Sequence, residues 1–322
     1  MARILVVGGA GFIGSHMMKT LVKAGHEPVA FDNLSTGHAD AVIYGELVEG
    51  DLANTHQIKD LLTNGRFDVV MHFASNIEVG ESVTNPRKYY TNNVTNTLNL
   101  IHAMMDQGLN HLIFSSSAAV YGIPEYTPID EDHPCRPINP YGKTKHMIES
   151  VLSDYRDAYG FASTALRYFN AAGADPDGEI GERHEPESHL IPLVIQAALG
   201  QRPDIKIYGT DYDTRDGTCI RDYVHVTDLC DAHLLAMDQL LGGSRGSIYN
   251  LGNGEGFSVS EVIETVKKIS RIDFVVTDTG RRVGDPAVLI ADASRAKADL
   301  DWQPTFGSIE VIVNDAWMFY AP

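Results

Sequence analysis

Cysteine is scarce in this chain of 322 residues: Cys135, Cys219 and Cys230 form an odd set with no C-x-x-C pair. That argues against a disulfide framework or a zinc ribbon and points to reduced thiols in a cytoplasmic protein. Positive charge is also short, with 25 Lys and Arg against 43 Asp and Glu and a net charge of −18. A field of that sign attracts neither nucleic acid nor an anionic membrane, so any phosphate ligand must be held locally by glycine-rich backbone, helix ends and a few arginines. No apolar run approaches the ~20 residues of a membrane span. The opening MARILVVGGAGFIG, with one basic residue and an apolar run broken at once by glycines, is expected to be neither a secretory signal nor a membrane anchor. Internal repeats and low-complexity tails are missing too. What is present is 43% hydrophobic residues, enough for a sizeable globular core.

Short apolar runs alternate with longer amphipathic ones through the first half, the pattern of a parallel sheet covered by helices. The alternation predicts strands over 3–7, 28–32, 46–51, 68–74, 111–117 and 163–170, with helices over 12–24, 55–63, 87–105 and 141–158. The expected fold is α/β, a doubly wound parallel sheet of Rossmann type over 1–170 with a smaller mixed α/β lobe over 171–322. Segments near 218–250 are able to return to the sheet domain. Past Asn170, the glycine-rich and charged AAGADPDGEIGERHEPESH reads as an irregular excursion. Ser258 followed by Glu261 reads as a capping box at the start of a later helix.

The stretch VVGGAGFIGSH sets Gly8, Gly11 and Gly14 between a predicted strand and a predicted helix. Glycines there allow the tight turn and the close approach of a pyrophosphate to the positive helix end. Asp32, at the end of the next strand and 18 positions after Gly14, suits the adenosine ribose hydroxyls. Its carboxylate repels the 2′-phosphate of NADP, and FDNLSTGH has no arginine to receive one, so NAD is the expected cofactor. Asp51, closing the third strand, either reaches the adenine edge or caps its own strand.

INPYGKTKHMIES places Asn139 and Pro140 where an N-cap and a first helical residue belong, so Tyr141 falls in the first turn and Lys145 one turn later on the same face. The lysine ammonium and the helix terminus are both expected to stabilise a phenolate and bring its pKa toward the working pH. FSSSAAVYG adds hydroxyls at the carboxyl edge of the sheet, where doubly wound folds bind ligands. Hydride carrier, base and hydroxyl orienter together are the set needed for redox chemistry at a carbinol carbon.

These motifs, with HFASNIEVGESV, NNVTNTLNL, RYFNAAGA, GTDYDTRDGTCIRDYVHV, YNLGNGEGFSVSEV and RRVGDPAVLIADASRAKADLDW, resemble the extended short-chain dehydrogenases/reductases nearly end to end, and within them the UDP-glucose 4-epimerases. The resemblance implies NAD-dependent interconversion of UDP-glucose and UDP-galactose through a transient 4-keto sugar. It makes Tyr141 the acid/base at the sugar 4-hydroxyl, Ser117 the residue holding that oxygen, and Lys145 the partner of the nicotinamide ribose. It further implies that Gly8, Gly11, Phe12, Ile13, Gly14, Asp32, Asn33, Ser35, Asp51, Leu52, Phe73, Ala74, Ser75, Asn93, Ser115 and Tyr168 contact NAD. For the UDP-sugar it implies Asn170, His189, Leu190, Arg221, Arg282, Asp285 and Leu289, and it implies a homodimer formed through the helices near 87–105 and 141–158. Three positions depart from many relatives. Ile77 stands where some carry a lysine, His189 replaces an asparagine, and Leu289 occupies a sugar-pocket wall that carries tyrosine in some members and a small residue in others.

Other readings compete with this one. His184, Glu185, Glu187 and His189 in ERHEPESH suggest a metal site, but the proline-interrupted loop gives them no common helical face and no metal is expected. DYDTRDG imitates a calcium loop, but its glycine falls one position late and no glutamate closes it. By the same family comparison, dehydratases and decarboxylases place an acid after the active-site hydroxyl, whereas Ala118 and Ala119 follow Ser117 here. A non-catalytic NAD-sensing regulator would have no need of Tyr141 and Lys145. Activity on N-acetylhexosamines stays open.

Overall fold

In the computed structural model, which describes residues 1–282 and 284–321, seven strands form one parallel sheet. Six are β1 (Arg3–Val7), β2 (Glu27–Asp32), β3 (Glu46–Glu49), β4 (Val69–His72), β5 (His111–Ser117) and β6 (Ala162–Tyr168), and the seventh is Ile248–Leu251. Running from the seventh strand through β6, β5 and β4 to β1, β2 and β3, the order reverses at β1, which pairs with both β2 and β4. The crevice outside the carboxyl ends of β1 and β4 is the position at which this topology accepts ligands.

The central strands are apolar because both sheet faces are covered. On one face Met17, Met18 and Leu21 of α1 (Phe12–Lys23) meet Leu229, Met237 and Leu240 of the helix Val226–Leu241. On the other, Ile58 and Leu62 of α2 (Thr55–Gly65) pack with Leu100, Ile101, Ile148 and Leu152. The chain therefore returns from the smaller lobe to complete the sheet domain, contributing the helix 226–241 and the seventh strand. The smaller lobe has its own core of Ile191, Ile195, Val262, Val266, Ile312 and Val313. Its helix Val259–Ser270 opens on the Ser258/Glu261 capping box.

Two elements differ from the sequence pattern. The segment predicted as one helix over 87–105 runs from Pro86 to Asp106 with a π turn over Tyr90–Thr95 in its middle. The run predicted as a strand to residue 170 breaks after Tyr168, and Asn170–Ala172 pairs instead with Tyr223–His225. Leaving the sheet at Phe169 turns the chain toward the smaller lobe. Among the described residues, no helix is long and apolar enough to cross a membrane.

Candidate active site

One cleft of about 1340 Å³ runs from the glycine turn after β1 to the smaller lobe. That volume exceeds the ~300–1,000 Å³ typical of a pocket for one small molecule and suits two ligands end to end.

At the first end the backbone leaves room for a dinucleotide. A Cβ on Gly8, whose φ is +83°, would lie 2.5 Å from the Ala74 nitrogen, and one on Gly14 would lie 2.1 Å from the Gly8 oxygen. The turn can pass this close to the β4 end and to the start of α1 only without side chains. Gly11, Phe12 and Ile13 line the cleft at the amino end of α1, and Phe73, Ala74 and Ser75 line it after β4. Asp32 closes β2, where Oδ2 accepts from Ala10 N at 3.0 Å and Oδ1 from Leu34 N at 2.9 Å, so the carboxylate is oriented by the glycine loop itself. Asn33, Ser35, Asp51 and Leu52 complete this wall. Asp51 caps its turn, Oδ1 accepting from Ala53 N at 2.7 Å, while Oδ2 accepts from Asn33 Nδ2 at 3.0 Å. The cradle and the acid fit NAD.

The middle of the cleft holds the reactive groups. Asn139 caps the helix Pro140–Tyr159 by accepting from Gly142 N at 2.8 Å, with Pro140 first and Tyr141 second in the helix. Lys145 Nζ donates to the Ser115 carbonyl at 2.8 Å and lies 5.8 Å from the Tyr141 ring centre. The electrostatics reverse part of the sequence expectation. Burial pushes the Tyr141 phenol up, with only Ser117 acting to lower it. Burial likewise pushes Lys145 down to about 7, against the pull of Glu149. A buried ammonium committed to a strand carbonyl does little for the neighbouring phenolate, and desolvation outweighs the helix terminus. Between about pH 7 and the ordinary lysine value of 10.5, the unfolded chain binds the extra proton. Stability therefore rises with pH through that window, and burying Lys145 costs stability at neutral pH.

The three serines of β5 have separate tasks. Ser117 faces the cleft, Ser115 bonds to the Tyr168 hydroxyl, and Ser116 donates to Glu149 Oε1 at 2.5 Å. Asn93, expected beside the nicotinamide, does not line the cleft. It sits in the π turn, accepts from Asn76 N at 2.9 Å, and donates to Asn76 O at 3.0 Å and to Thr144 Oγ1 at 3.2 Å. It thus fastens the loop after β4 to the helix bearing Tyr141. Ile77 is part of that loop and shows the cleft an apolar side chain.

At the far end the strand Ile220–Arg221 lies between Phe257–Ser258 and Val288–Leu289, with Arg221 directly beside Leu289. Arg221 Nη2 donates to Asp285 Oδ1 at 2.5 Å, and the Arg282 guanidinium lies 3.8 Å from the Tyr208 ring centre. Asp222, which the sequence reading passed over, is fully buried and holds this end together. Its Oδ1 accepts from Asn253 N at 2.7 Å, and its Oδ2 accepts from Gly254 N and Ala291 N, each at 3.0 Å. Asn170 donates to the Asp222 carbonyl at 2.7 Å. His189 stands at the N-cap position of the helix Leu190–Ala198 without a side-chain capping bond, and Leu190 lines a side pocket of about 250 Å³ that continues past Arg221 and Arg282. Two arginines at one end of a cleft with a glycine cradle at the other suit a second, diphosphate-bearing ligand.

Residues 4–252 match the NAD dependent epimerase/dehydratase family. The chain is 47% identical over 318 residues to a UDP-glucose 4-epimerase of Rhizobium meliloti (strain 1021), covering 99% of this chain and 97% of that one. It is similar to the crystal structure of UDP-glucose 4-epimerase from Brucella ovis in complex with NAD, with a TM-score of 0.97, 46% identity and 98% of each chain covered. It is also similar to the UDP-Glc/GlcNAc 4-epimerase from Campylobacter jejuni, with a TM-score of 0.88, 45% identity and 99% of each chain covered.

Proposed function

The chain belongs to the NAD dependent epimerase/dehydratase family, and from that premise we propose that it is a UDP-hexose 4-epimerase interconverting UDP-glucose and UDP-galactose. The observation that carries the reading is one continuous cleft that joins a dinucleotide cradle, the Tyr141–Ser117–Lys145 group and an arginine pair. When bound, NAD supplies a reversible hydride acceptor that carries positive charge. Tyr141 takes the 4-hydroxyl proton as the sugar carbon is oxidised and returns it as the carbon is reduced on its other face. Ser117 holds the same oxygen by hydrogen bond, and Lys145 keeps the β5 end and the helix 140–159 in register beneath it. Arg221 and Arg282 hold the diphosphate, so the keto sugar turns over without escaping. Ala118, at the cleft wall beyond Ser117, offers no acid for elimination or decarboxylation.

A cofactor reduced and reoxidised in each turnover has no reason to leave. Protein purified and given UDP-galactose without added NAD is therefore expected to form UDP-glucose, and denaturing it should release NAD. A requirement for stoichiometric NAD turnover would instead make it an ordinary dehydrogenase.

Leu289 bears on the choice of sugar. It lines the cleft and packs against the cluster of Val120, Tyr121 and Ile129. Its bulk fills the wall, and it has no polar group for an N-acetyl amide, so hexoses are expected to be preferred over N-acetylhexosamines, unlike the breadth named for the Campylobacter jejuni relative. Leu289→Cys should raise the efficiency on UDP-N-acetylglucosamine and Leu289→Tyr should suppress it, in a range of roughly 10- to 200-fold. Equal kcat/KM for the two sugars in all three proteins would move the determinant elsewhere in the wall.

A cytoplasmic homodimer with a role in galactose metabolism completes the proposal. The helices Asn96–Asp106 and Pro140–Tyr159 lie together, joined by a His102–Tyr155 hydroxyl contact of 2.9 Å, and Met147 and Tyr159 are exposed on the second. Light scattering should give twice the chain mass of 35.2 kDa. A monomer at micromolar concentration would remove the dimer.

A further inference from the structure

The loop between the sheet domain and the helix Leu190–Ala198 gathers four ligand-type side chains. Glu182, His184, Glu187 and His189 bring one donor atom each to within 4.8 Å of one another. The sequence set is altered by folding: Glu182 joins the group and Glu185 does not. The absence of a shared helical face is overcome because the loop curls back on itself.

The contacts within the group are close. Glu182 Oε1 lies 2.6 Å from His189 Nδ1 and 3.0 Å from His184 Nδ1. The Glu182 side chain is 3% exposed, yet among the described residues neither its Oε1 nor either Nδ1 has an aligned hydrogen-bond partner. Atoms buried this close together either pair as imidazolium and carboxylate or share one ion placed among them. The Glu187 side chain is 4% exposed, and its Oε1, 3.4 Å from His189 Nδ1, accepts from Ser188 N at 2.8 Å and His189 N at 2.9 Å. Such bonds orient a carboxylate as the outer partners of a metal ligand do.

We propose that these four residues form a binding site for a divalent first-row transition ion of the zinc type. Two imidazole nitrogens and two carboxylates make a four-ligand set with charges that cancel a dication, and the nitrogen content disfavours magnesium and calcium. The ion ties a loop that has no regular secondary structure of its own. Around it, Arg183 pairs with Asp40 at 2.7 and 3.0 Å, Ser188 bonds to Glu78 at 2.8 Å, and the Tyr320 hydroxyl bonds to the Glu182 carbonyl. Coordination through Nδ1 leaves His189 Nε2 as an N–H donor on a residue that lines the cleft, so the ion also sets the tautomer presented to the diphosphate.

The test uses the full-length protein, stripped with EDTA, desalted and titrated with Zn²⁺ against a chromophoric chelator. One Zn²⁺ per chain is expected, with a rise in Tm, and Co²⁺ should give the visible bands of tetrahedral coordination. His184→Ala and Glu182→Gln should each weaken Zn²⁺ binding by at least ~100-fold, beyond the 10- to 100-fold typical of a lost outer-shell partner. His56→Ala, an exposed histidine outside the loop, should change nothing. Circular dichroism and retained NAD show whether each variant is folded. If folded His184→Ala binds Zn²⁺ as tightly as the wild type, or Zn²⁺ leaves the wild-type Tm unmoved, the proposal fails and the cluster is an imidazolium–carboxylate ion pair.

Discussion

Tyr141→Phe is expected to lower kcat by at least ~100-fold with the KM for the UDP-sugar little changed, the usual scale for loss of a positioned acid/base group. The split follows from where the groups lie. Phenylalanine keeps the ring in the first turn of the helix 140–159 and removes only the oxygen. The arginines that hold the diphosphate sit on the smaller lobe, on the strand 220–221 and at Arg282. Because burial holds the phenol above its ordinary value and Lys145 near neutrality, the pH profile is a second readout. Lys145→Ala should lower activity, since the tie from Nζ to the Ser115 carbonyl is lost, while the basic limb stays near its wild-type position because that buried amine does little for the phenolate. A kcat for Tyr141→Phe within threefold of wild type would falsify the assignment of the base.

Glu149→Ala should destabilise the fold by about 3–5 kcal/mol, because it leaves a guanidinium buried without its counter-charge. Arg167 is 4% exposed and donates to Glu149 Oε1 at 2.9 Å and Oε2 at 2.6 Å, while its Nη1 donates to the Tyr121 hydroxyl at 2.9 Å. That hydroxyl donates in turn to Asn250 of the seventh strand at 2.6 Å. Glu149 thus links the helix of Tyr141 and Lys145 to β5, β6 and the seventh strand. Burial pushes its carboxyl up, but Arg167, with His146 and Ser116, outweighs burial and holds it below the ordinary 4.5. A depressed carboxyl contributes stability that is complete above the unfolded value and lost as pH falls through the folded one. The wild type should therefore lose stability in acid below pH ~4.5, and the variant should lose less there. Urea unfolding at several pH values measures both effects. Glu149→Met combined with Arg167→Met should recover most of the loss, since removing a whole buried pair is often close to neutral. An unchanged urea midpoint for Glu149→Ala at pH 7 would show that the pair carries no such weight.

Much of the cofactor end was legible from the chain alone, because its signals are local. A parallel strand, a glycine turn and a helix are encoded by hydrophobic period and by which residues tolerate a given φ. The acid at position 32 follows from strand length. The cap at Asn139 and the i, i+4 placement of Tyr141 and Lys145 are equally local. The resemblance supplied the far end, where Arg221, Arg282 and Leu289 are separated in sequence and meet only through a small sheet.

What the sequence alone determined was the order of elements and the inventory of chemical groups, since both depend on neighbours a few residues apart. Tertiary structure decided the state of those groups. Whether Lys145 aids a phenolate or is itself driven toward neutrality depends on the protein packed around it, and no window of sequence records desolvation. The π turn that turns Asn93 inward, the Glu149–Arg167 link beneath the reactive helix and the convergence of Glu182 with His184, Glu187 and His189 each require contacts between distant segments or an irregular turn. Their energies come from burial and partner geometry, which exist only once the chain has closed.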